Sequence, residues 1–209
     1  MTPAAARTVE SDSRSRIVTA AFRVLVRDGY EAASVKEIAR EAGVAPGLVH
    51  YYFDTKEDLL LATVDDACQR FLGGRLQELR QKKRDGVEGM TPSQEARESL
   101  ELNKEAIRKG REFWILIMEM YSRALYEPKI RSAIRDFIKE DRAEIERIVR
   151  GVMRELGRDP GVPADAIAAA IYGSIHGIVM QKLLDPKFDA DAAIDALSTM
   201  AFALGRPGS

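Results

Sequence analysis

The sequence contains very few residues of the kinds that ligate metals or form disulfides. Its 209 residues include one cysteine, Cys68, and two histidines, His50 and His176. A lone cysteine excludes an intrachain disulfide and a thiolate metal cluster, and it is typical of a reducing compartment. The chain also has no His-x-x-x-His pair, no Gly-rich phosphate loop and no Gly-x-Ser-x-Gly elbow. We therefore expect no metal, no cofactor and no enzymatic activity.

The sequence also lacks a long apolar run. The longest, from Ala166 to Met180, is shorter than the roughly 20 residues that cross a bilayer. The N-terminus does not have the charged and then apolar pattern of a signal peptide. These features predict a cytoplasmic protein that does not enter a membrane.

A surplus of positive charge is missing as well. The formal net charge is −1, and residues 1–60 carry eight Lys or Arg against nine Asp or Glu. Proteins that coat nucleic acid without sequence preference are usually basic. Any DNA binding by this chain must therefore depend on a few placed cations, on helix N-termini and on fit to a groove.

What the sequence does contain is helical periodicity along almost its whole length. A hydrophobic content of 45% and a charged content of 31% are those of a soluble globular protein. Apolar spacing, caps and glycine stops predict about nine helices in an all-α fold. The predicted helices run from about residue 14 to Gly29, from Ser34 to Gly43, from Pro46 to Phe53, from Thr55 to about Arg84, from Thr91 to about Lys109, from Glu112 to Leu125, from Pro128 to Leu156, from about Ala164 to Leu184, and from about Ala190 to Leu204.

The most informative stretch runs from Gly43 to Phe53. A glycine turn ends one helix, and Pro46-Gly47 opens a very short next helix. This is the tight corner of a helix-turn-helix, in which the second helix projects into a major groove of DNA. Upstream, Ser34 and Glu37 have the spacing of a capping box.

The ordered set of motifs resembles the N-terminal domain of the TetR family of transcriptional regulators over about residues 14–62. The matching residues are Ser34-Val35-Lys36-Glu37-Ile38-Ala39, Gly43-Val44, Gly47, Tyr52-Phe53, Lys56-Glu57 and Leu59-Leu60. The resemblance implies a mobile arm over 1–13, a three-helix DNA-binding domain over 14–60, and a larger helical ligand-binding and dimerisation domain over 61–205. It further implies a homodimer on a palindromic operator of double-stranded DNA, released when a small-molecule effector binds.

The resemblance also implies roles for particular residues. Ser34 and Lys36 would contact phosphate or a base edge, and Pro46, Gly47 and Leu48 would lie against bases. His50 and Tyr51 would reach phosphates or bases, and Lys56 would pair with a phosphate at the start of its helix. The chain departs from the family at Ala45, where a capping Ser or Thr is common, and at His50, where Tyr is common.

Two features of the body each leave two interpretations open. One is a set of aromatic, Met and His side chains that would either line an effector cavity or form ordinary core: Trp114, Met118, Tyr121, Phe137, Tyr172 and His176. A cavity of this kind suits a largely apolar effector, or a cation held by aromatic rings. The other is a stripe of small residues that would pack either against a second subunit or inside one: Ala170, Gly173, Ser174 and Gly177.

Three classes of function remain after this reading. The first is a ligand-responsive repressor. The second is an activator or an effector-independent regulator of the same fold. The third is a helical small-molecule binder or enzyme whose first domain only resembles a DNA reader.

Overall fold

The computed structural model describes residues 3–73, 90–204 and 206–207, with side chains for 12–71 and 90–204. In this part of the chain nine α-helices carry the fold. They are α1 (Pro3–Ala32), α2 (Val35–Ala42), α3 (Pro46–Tyr52), α4 (Lys56–Cys68), α5 (Pro92–Lys109), α6 (Arg111–Ala124), α7 (Pro128–Leu156), α8 (Ala164–Leu184) and α9 (Ala190–Ala203). One π-helical turn, Gln69–Gly73, continues α4.

The all-α class predicted from sequence is confirmed, with differences at the ends of elements. Helix α1 begins at Pro3, so the predicted start near residue 14 is wrong, and the segment assigned to an arm is helical from Pro3 onward. The predicted stop at Gly29 is seen as a break in α1, where φ is 76° and ψ is 173°. The predicted end of the fourth helix at Arg84 and most of the loop after it lie outside the described residues. A two-residue antiparallel pair, β1 (Arg158–Asp159) with β2 (Arg206–Pro207), was not predicted.

The caps of the N-terminal helices follow from local chemistry. The Ser34 hydroxyl accepts the Glu37 N–H at 3.1 Å, and Thr55 accepts the Asp58 N–H in the same way. The predicted capping box at Ser34 is only half formed, because the Glu37 carboxylate accepts hydrogen bonds from Arg40 and Arg27 instead. Both guanidiniums compete for that carboxylate and offer charged donors, which a backbone N–H does not.

By packing, the described residues form two compact units. The first comprises Met1–Gly74 with Ile115–Ala133, and the second comprises Arg75–Trp114 with Ile134–Ser209, each so far as it is described. The sequence placed a single boundary near residue 60. The structure instead groups most of α6 and the start of α7 with the N-terminal helices.

Each unit has its own apolar core. In the first unit α1 packs against α2, α3 and α4, and in the second α9 packs against α5 and α8. The largest fully buried side chains in the first unit include Ile17, Ile38, Leu59, Leu60 and Met120. Ile194 of α9 has no exposed surface and anchors that helix in the second unit.

Candidate nucleic-acid interface and ligand region

The turn between α2 and α3 is fixed by one glycine and one arginine. Gly43 adopts the left-handed conformation, with φ 65° and ψ 39°, and its N–H bonds to the carbonyls of Ala39 and Arg40. From α1, the Arg16 guanidinium donates to the Ala42 carbonyl at 2.8 Å. A Cβ at Gly43 would stand 3.3 Å from that guanidinium. The helix-turn-helix corner is therefore held from behind by a residue that no local sequence motif identified.

Helix α3 is anchored on one side and open on the other. Val49 is 1% exposed and Phe53, directly after the helix, is 5% exposed. The predicted contact residues on the opposite side are exposed, or in one case half-buried: Pro46, Gly47, Leu48, His50 and Tyr51. Tyr51 has 69% of its surface exposed. Ala45 caps the helix without a side-chain hydrogen bond, and Pro46 follows at the first helical position, both as predicted.

Two further predicted contacts stand at the start of α2. Ser34 and Lys36 are both exposed, and Ser34 keeps its hydroxyl proton available because it accepts in the cap. Acidic side chains nearby are engaged elsewhere: Arg27 lies within 3.2 Å of Asp28, Glu37 and Glu41, and Arg40 pairs with Glu37. These acidic side chains of the first two helices are therefore each paired with an arginine.

Lys56, at the start of α4, contacts Tyr30 of α1. Its Nζ donates a hydrogen bond to the Tyr30 carbonyl and lies 3.9 Å from the centre of the Tyr30 ring. Burial lowers the pKa of this ammonium group. One of the three N–H donors of this half-buried ammonium is used by Tyr30, and the phosphate contact predicted for Lys56 stays a prediction.

Tyr30 is also where α6 meets the N-terminal helices, within the first unit. The Arg123 guanidinium lies 4.4 Å from the Tyr30 ring centre and pairs with Glu31 at 2.6 Å. The Tyr30 hydroxyl donates to Glu57 at 3.0 Å, and burial raises the pKa of Tyr30 to about 12. Nearby, Lys129 of α7 pairs with Asp58 at 2.6 Å. The start of α4 is thereby tied to α6 and α7, a link that the sequence could not show.

In the second unit, three of the six predicted pocket residues come together. The rings of Trp114 and His176 meet edge to face at 5.7 Å, and those of Tyr172 and His176 lie 4.1 Å apart. The Trp114 indole N–H donates to the Ala106 carbonyl at 3.2 Å, and this side chain is only 6% exposed. Burial lowers the pKa of His176, so its ring is neutral at physiological pH.

The other three residues are more scattered. Phe137 is half-buried on α7, and Met118 and Tyr121 are half-buried in the part of α6 that packs within the first unit. Their role in a cavity stays a prediction.

The small-residue stripe on α8 lies on the surface. Ala170, Gly173, Ser174 and Gly177 are all exposed, and a Cβ added at Gly173 or at Gly177 would meet nothing within 4 Å. The alternative of tight packing inside one subunit is thus wrong for the described residues. Larger apolar side chains are exposed near the end of the same helix and on α9: Met180 (51%), Leu184 (80%) and Met200 (61%).

Helix α8 is also the one described helix that is long and apolar enough to cross a membrane, by length and composition alone. A third of its most apolar window is buried inside the chain. Among the described residues no group of His, Cys, Asp or Glu side chains is arranged to hold a metal ion.

A short, exposed second helix of a helix-turn-helix, joined to a helical body, is the architecture of a DNA-binding transcriptional regulator. Comparison with known proteins agrees and narrows the class. Residues 17–63 match the model of bacterial regulatory proteins of the tetR family, and residues 92–205 match that of the BetI-type transcriptional repressor C-terminal domain. The chain therefore belongs to the TetR family of transcriptional regulators.

Individual relatives extend this likeness over most of the chain. The HTH-type transcriptional regulator BetI of Rhizobium meliloti (strain 1021) is 28% identical over 180 residues, which are 84% of this chain and 80% of the relative. A TetR transcription regulator from Haloarcula marismortui superposes with a TM-score of 0.74 at 26% identity, covering 94% of this chain and all of that one. A putative transcriptional regulator from Saccharomonospora viridis, solved in complex with choline, has a TM-score of 0.78 at 22% identity, covering 94% and 99%.

Proposed function

We propose that this protein is a ligand-responsive repressor that binds a palindromic operator as a homodimer and is released by a small cationic or largely apolar effector. The observation that carries the DNA part is the two-sided character of α3. Val49 and Phe53 hold the helix to the core while Pro46, Gly47 and Tyr51 face outward. Ser34 and Lys36, exposed at the start of α2, would hold the backbone of the same half-site.

Gly47 supports close approach to DNA. It lies in the first turn of α3, and a Cβ there would meet nothing within 4 Å. Packing inside the protein therefore does not require glycine, and α-helical geometry does not require it either. A role in contact with a partner explains this residue: without a side chain, the start of α3 can come close to base edges in a major groove.

The exposed apolar face of α8 supports the homodimer. A patch that combines small residues with Met180 and Leu184 is unusual on the surface of a monomer and typical of an interface. A second copy of α8 can approach closely along Gly173 and Gly177, and a two-fold pairing of identical patches closes on itself. This pairing also gives the apolar surface of α8 a place out of water without a membrane, as expected of a regulator that works on DNA in the cytoplasm.

For the effector, the aromatic cluster of the second unit is the best-supported region. Tyr172 and His176 are half-buried beside Trp114, and the neutral His176 adds no positive charge. Such rings attract a quaternary ammonium through their faces. The choline held by the Saccharomonospora viridis regulator belongs to this chemical class. We therefore propose a quaternary ammonium or similar small organic cation as the first effector to test.

Helix α6 offers a route from effector to DNA. Trp114 stands near its start, and Arg123, near its end, holds Tyr30 and Glu31. A shift of α6 on effector binding would move Arg123 and disturb Tyr30, on which Lys56 also rests. An effector that favours such a shifted state lowers DNA affinity by its difference in affinity for the two states.

Trp114 is the sole tryptophan of the chain, so its fluorescence reports on the cluster directly. Choline and tetramethylammonium would be titrated into the protein alone and into its complex with a labelled DNA fragment that the protein binds. The proposal expects saturable changes in Trp114 emission, together with a fall in DNA anisotropy over the same concentrations. Changes in neither signal, with choline, tetramethylammonium and a panel of aromatic cations, would contradict the proposed effector class.

A further inference from the structure

A cavity of about 530 Å³ opens in the second unit between α5, the segment after α7 and the end of α9. It is away from the aromatic cluster in sequence and shares none of its residues. Two arginines, two hydroxyl side chains, one aromatic ring and one alanine form its wall: Arg97, Arg158, Ser198, Thr199, Phe202 and Ala203.

The cavity continues a row of charge pairs between α5 and α9. Arg108 faces Asp191 at 3.7 Å, and four residues along each helix Lys104 pairs with Asp195. Lys104 is only 8% exposed, and it also donates to Glu101 at 2.7 Å. Lys104 and Arg108 of α5 are thus each matched by a carboxylate of α9.

Further along the two helices, α5 again presents a cation, Arg97, but α9 presents an aromatic ring, Phe202, in place of a carboxylate. Arg97 lies seven residues before Lys104, and Phe202 lies seven residues after Asp195. The Arg97 guanidinium stands over the Phe202 ring, 4.3 Å from its centre. Within the described ranges, Arg97 makes no hydrogen bond or ion pair, so its planar fork of donors is held in place by the ring and remains unused.

A second cation points to the same place. Arg158 donates one hydrogen bond to the Phe202 carbonyl, and no carboxylate among the described residues pairs with Arg158. Thr199 donates its hydroxyl to the Asp195 carbonyl at 2.9 Å, and Ser198 is another residue of the cavity wall. The acid of α5 one turn away, Glu101, is bonded to Lys104. Two guanidiniums thus share one cavity whose described lining residues include no carboxylate.

We propose that this cavity binds the oxyanion group of a small molecule, a carboxylate or a phosphate, whose organic part rests against Phe202. The ligand supplies the missing carboxylate of the third pair. Arginine suits this role because its parallel N–H donors bind two oxygens of one carboxylate or phosphate. This ligand is opposite in charge to the cation proposed for the aromatic cluster, so the second unit would bind two chemical classes at separate places.

The test is calorimetric titration of the full chain with inorganic phosphate and, separately, with benzoate, at constant ionic strength. We expect one saturable site for at least one of these anions. Arg97→Gln should weaken binding about tenfold or more, as for the loss of a charge-assisted pair. Arg108→Gln is the matched control, because Arg108 already has Asp191 as its partner, and it should leave the affinity unchanged.

Ser198→Asp provides the sharpest variant. It places a carboxylate in the cavity wall, where it should pair with the arginines and abolish anion binding without loss of fold, as checked by circular dichroism. Binding of phosphate alone points to a phosphorylated metabolite, and binding of benzoate alone to an organic acid. No saturable binding of either anion, or binding that Arg97→Gln and Ser198→Asp leave intact, would overturn the proposal.

Discussion

At the scale of single residues, two glycines four positions apart serve different purposes. Gly43 adopts a positive φ and lies against Arg16, so the fold itself requires it. Gly47 is helical with open space around it, so the fold does not. Both glycines belong to one sequence motif, but only the turn at Gly43 requires glycine, whereas packing within the chain does not require it at Gly47.

Exchange of each glycine for alanine therefore has opposite consequences. Gly47→Ala should leave the unfolding midpoint unchanged or raise it, since alanine is the better helix former by about 0.5–1 kcal/mol. The same variant should lose DNA affinity by about 1–3 kcal/mol, the cost of a disturbed base contact. Gly43→Ala should instead destabilise the fold by about 1 kcal/mol or more. Thermal unfolding measures the stability of each variant, and fluorescence anisotropy of labelled DNA measures its DNA affinity. A Gly47→Ala protein with full DNA affinity would refute the close approach of α3 to base edges.

The two lysines are expected to differ as well. Lys36 is exposed, so Lys36→Ala should weaken DNA binding across sequences and reduce the slope of log affinity against log salt by about one, with unfolding unchanged. Lys56→Ala removes a hydrogen bond and a ring contact to Tyr30 and should lower stability by about 1–2 kcal/mol. Chemical denaturation and salt titration distinguish them. Equal effects of both variants on the salt slope would show that Lys56 also contacts a phosphate.

At the scale of helices, local chemistry was predictable and long-range placement was not. The turn at Gly43, the start at Pro46 and the cap at Thr91 could be predicted because each depends on residues within one helical turn. The direction of Lys56 could not, because it depends on Tyr30, 26 residues away. The capping box at Ser34 is incomplete because Glu37 pairs with arginines, and one of them, Arg27, belongs to another helix. Contacts between helices leave no periodic signal in one sequence.

Helix α8 is where the dimer can be tested. Gly173→Leu and Gly177→Leu place bulk on the exposed stripe and should shift the protein from dimer to monomer in analytical ultracentrifugation. Because a Cβ at either site meets nothing within the chain, the subunit itself should remain folded. Ala143→Leu, exposed on α7, is the matched control and should stay dimeric. A dimer that survives both glycine variants would place the interface elsewhere.

On α7, a half-buried acid gives a stability effect that depends on pH. Burial, with a smaller contribution from the charge of Glu140, raises the pKa of Asp141 to about 6. A raised pKa in the folded state disfavours the ionised form, so wild type loses stability as pH rises through about 6 and regains it as pH falls towards the ordinary value. Asp141→Asn should be more stable than wild type at pH 8 by about 1 kcal/mol, allowing for partial exposure to solvent.

The advantage of Asp141→Asn should shrink at pH 5, where wild-type Asp141 is largely protonated. Denaturant unfolding at the two pH values measures this difference. The same difference at both would show that ionisation of Asp141 is not its cause. Exposed Asp136→Asn on the same helix serves as the control and should show no such change.

At the scale of the whole molecule, we propose that the first unit binds one DNA sequence and that the second unit controls this binding through an effector. The family and the all-α class follow from motifs that a single sequence displays. The two units are less predictable, since α6 contributes residues to both. Within the first unit, α6 brings Arg123 to Tyr30 and Glu31.

The most direct test of the central claim is selection of genomic DNA fragments on the purified protein at near-physiological salt, with sequencing of what is retained. The account predicts one palindromic motif with half-sites about 34–36 Å, or a multiple of that distance, apart. It also predicts loss of the motif when Lys36 and Tyr51 are both replaced by alanine in a protein that remains folded. No enriched sequence from folded wild-type protein, or the same motif from the double variant, would contradict it.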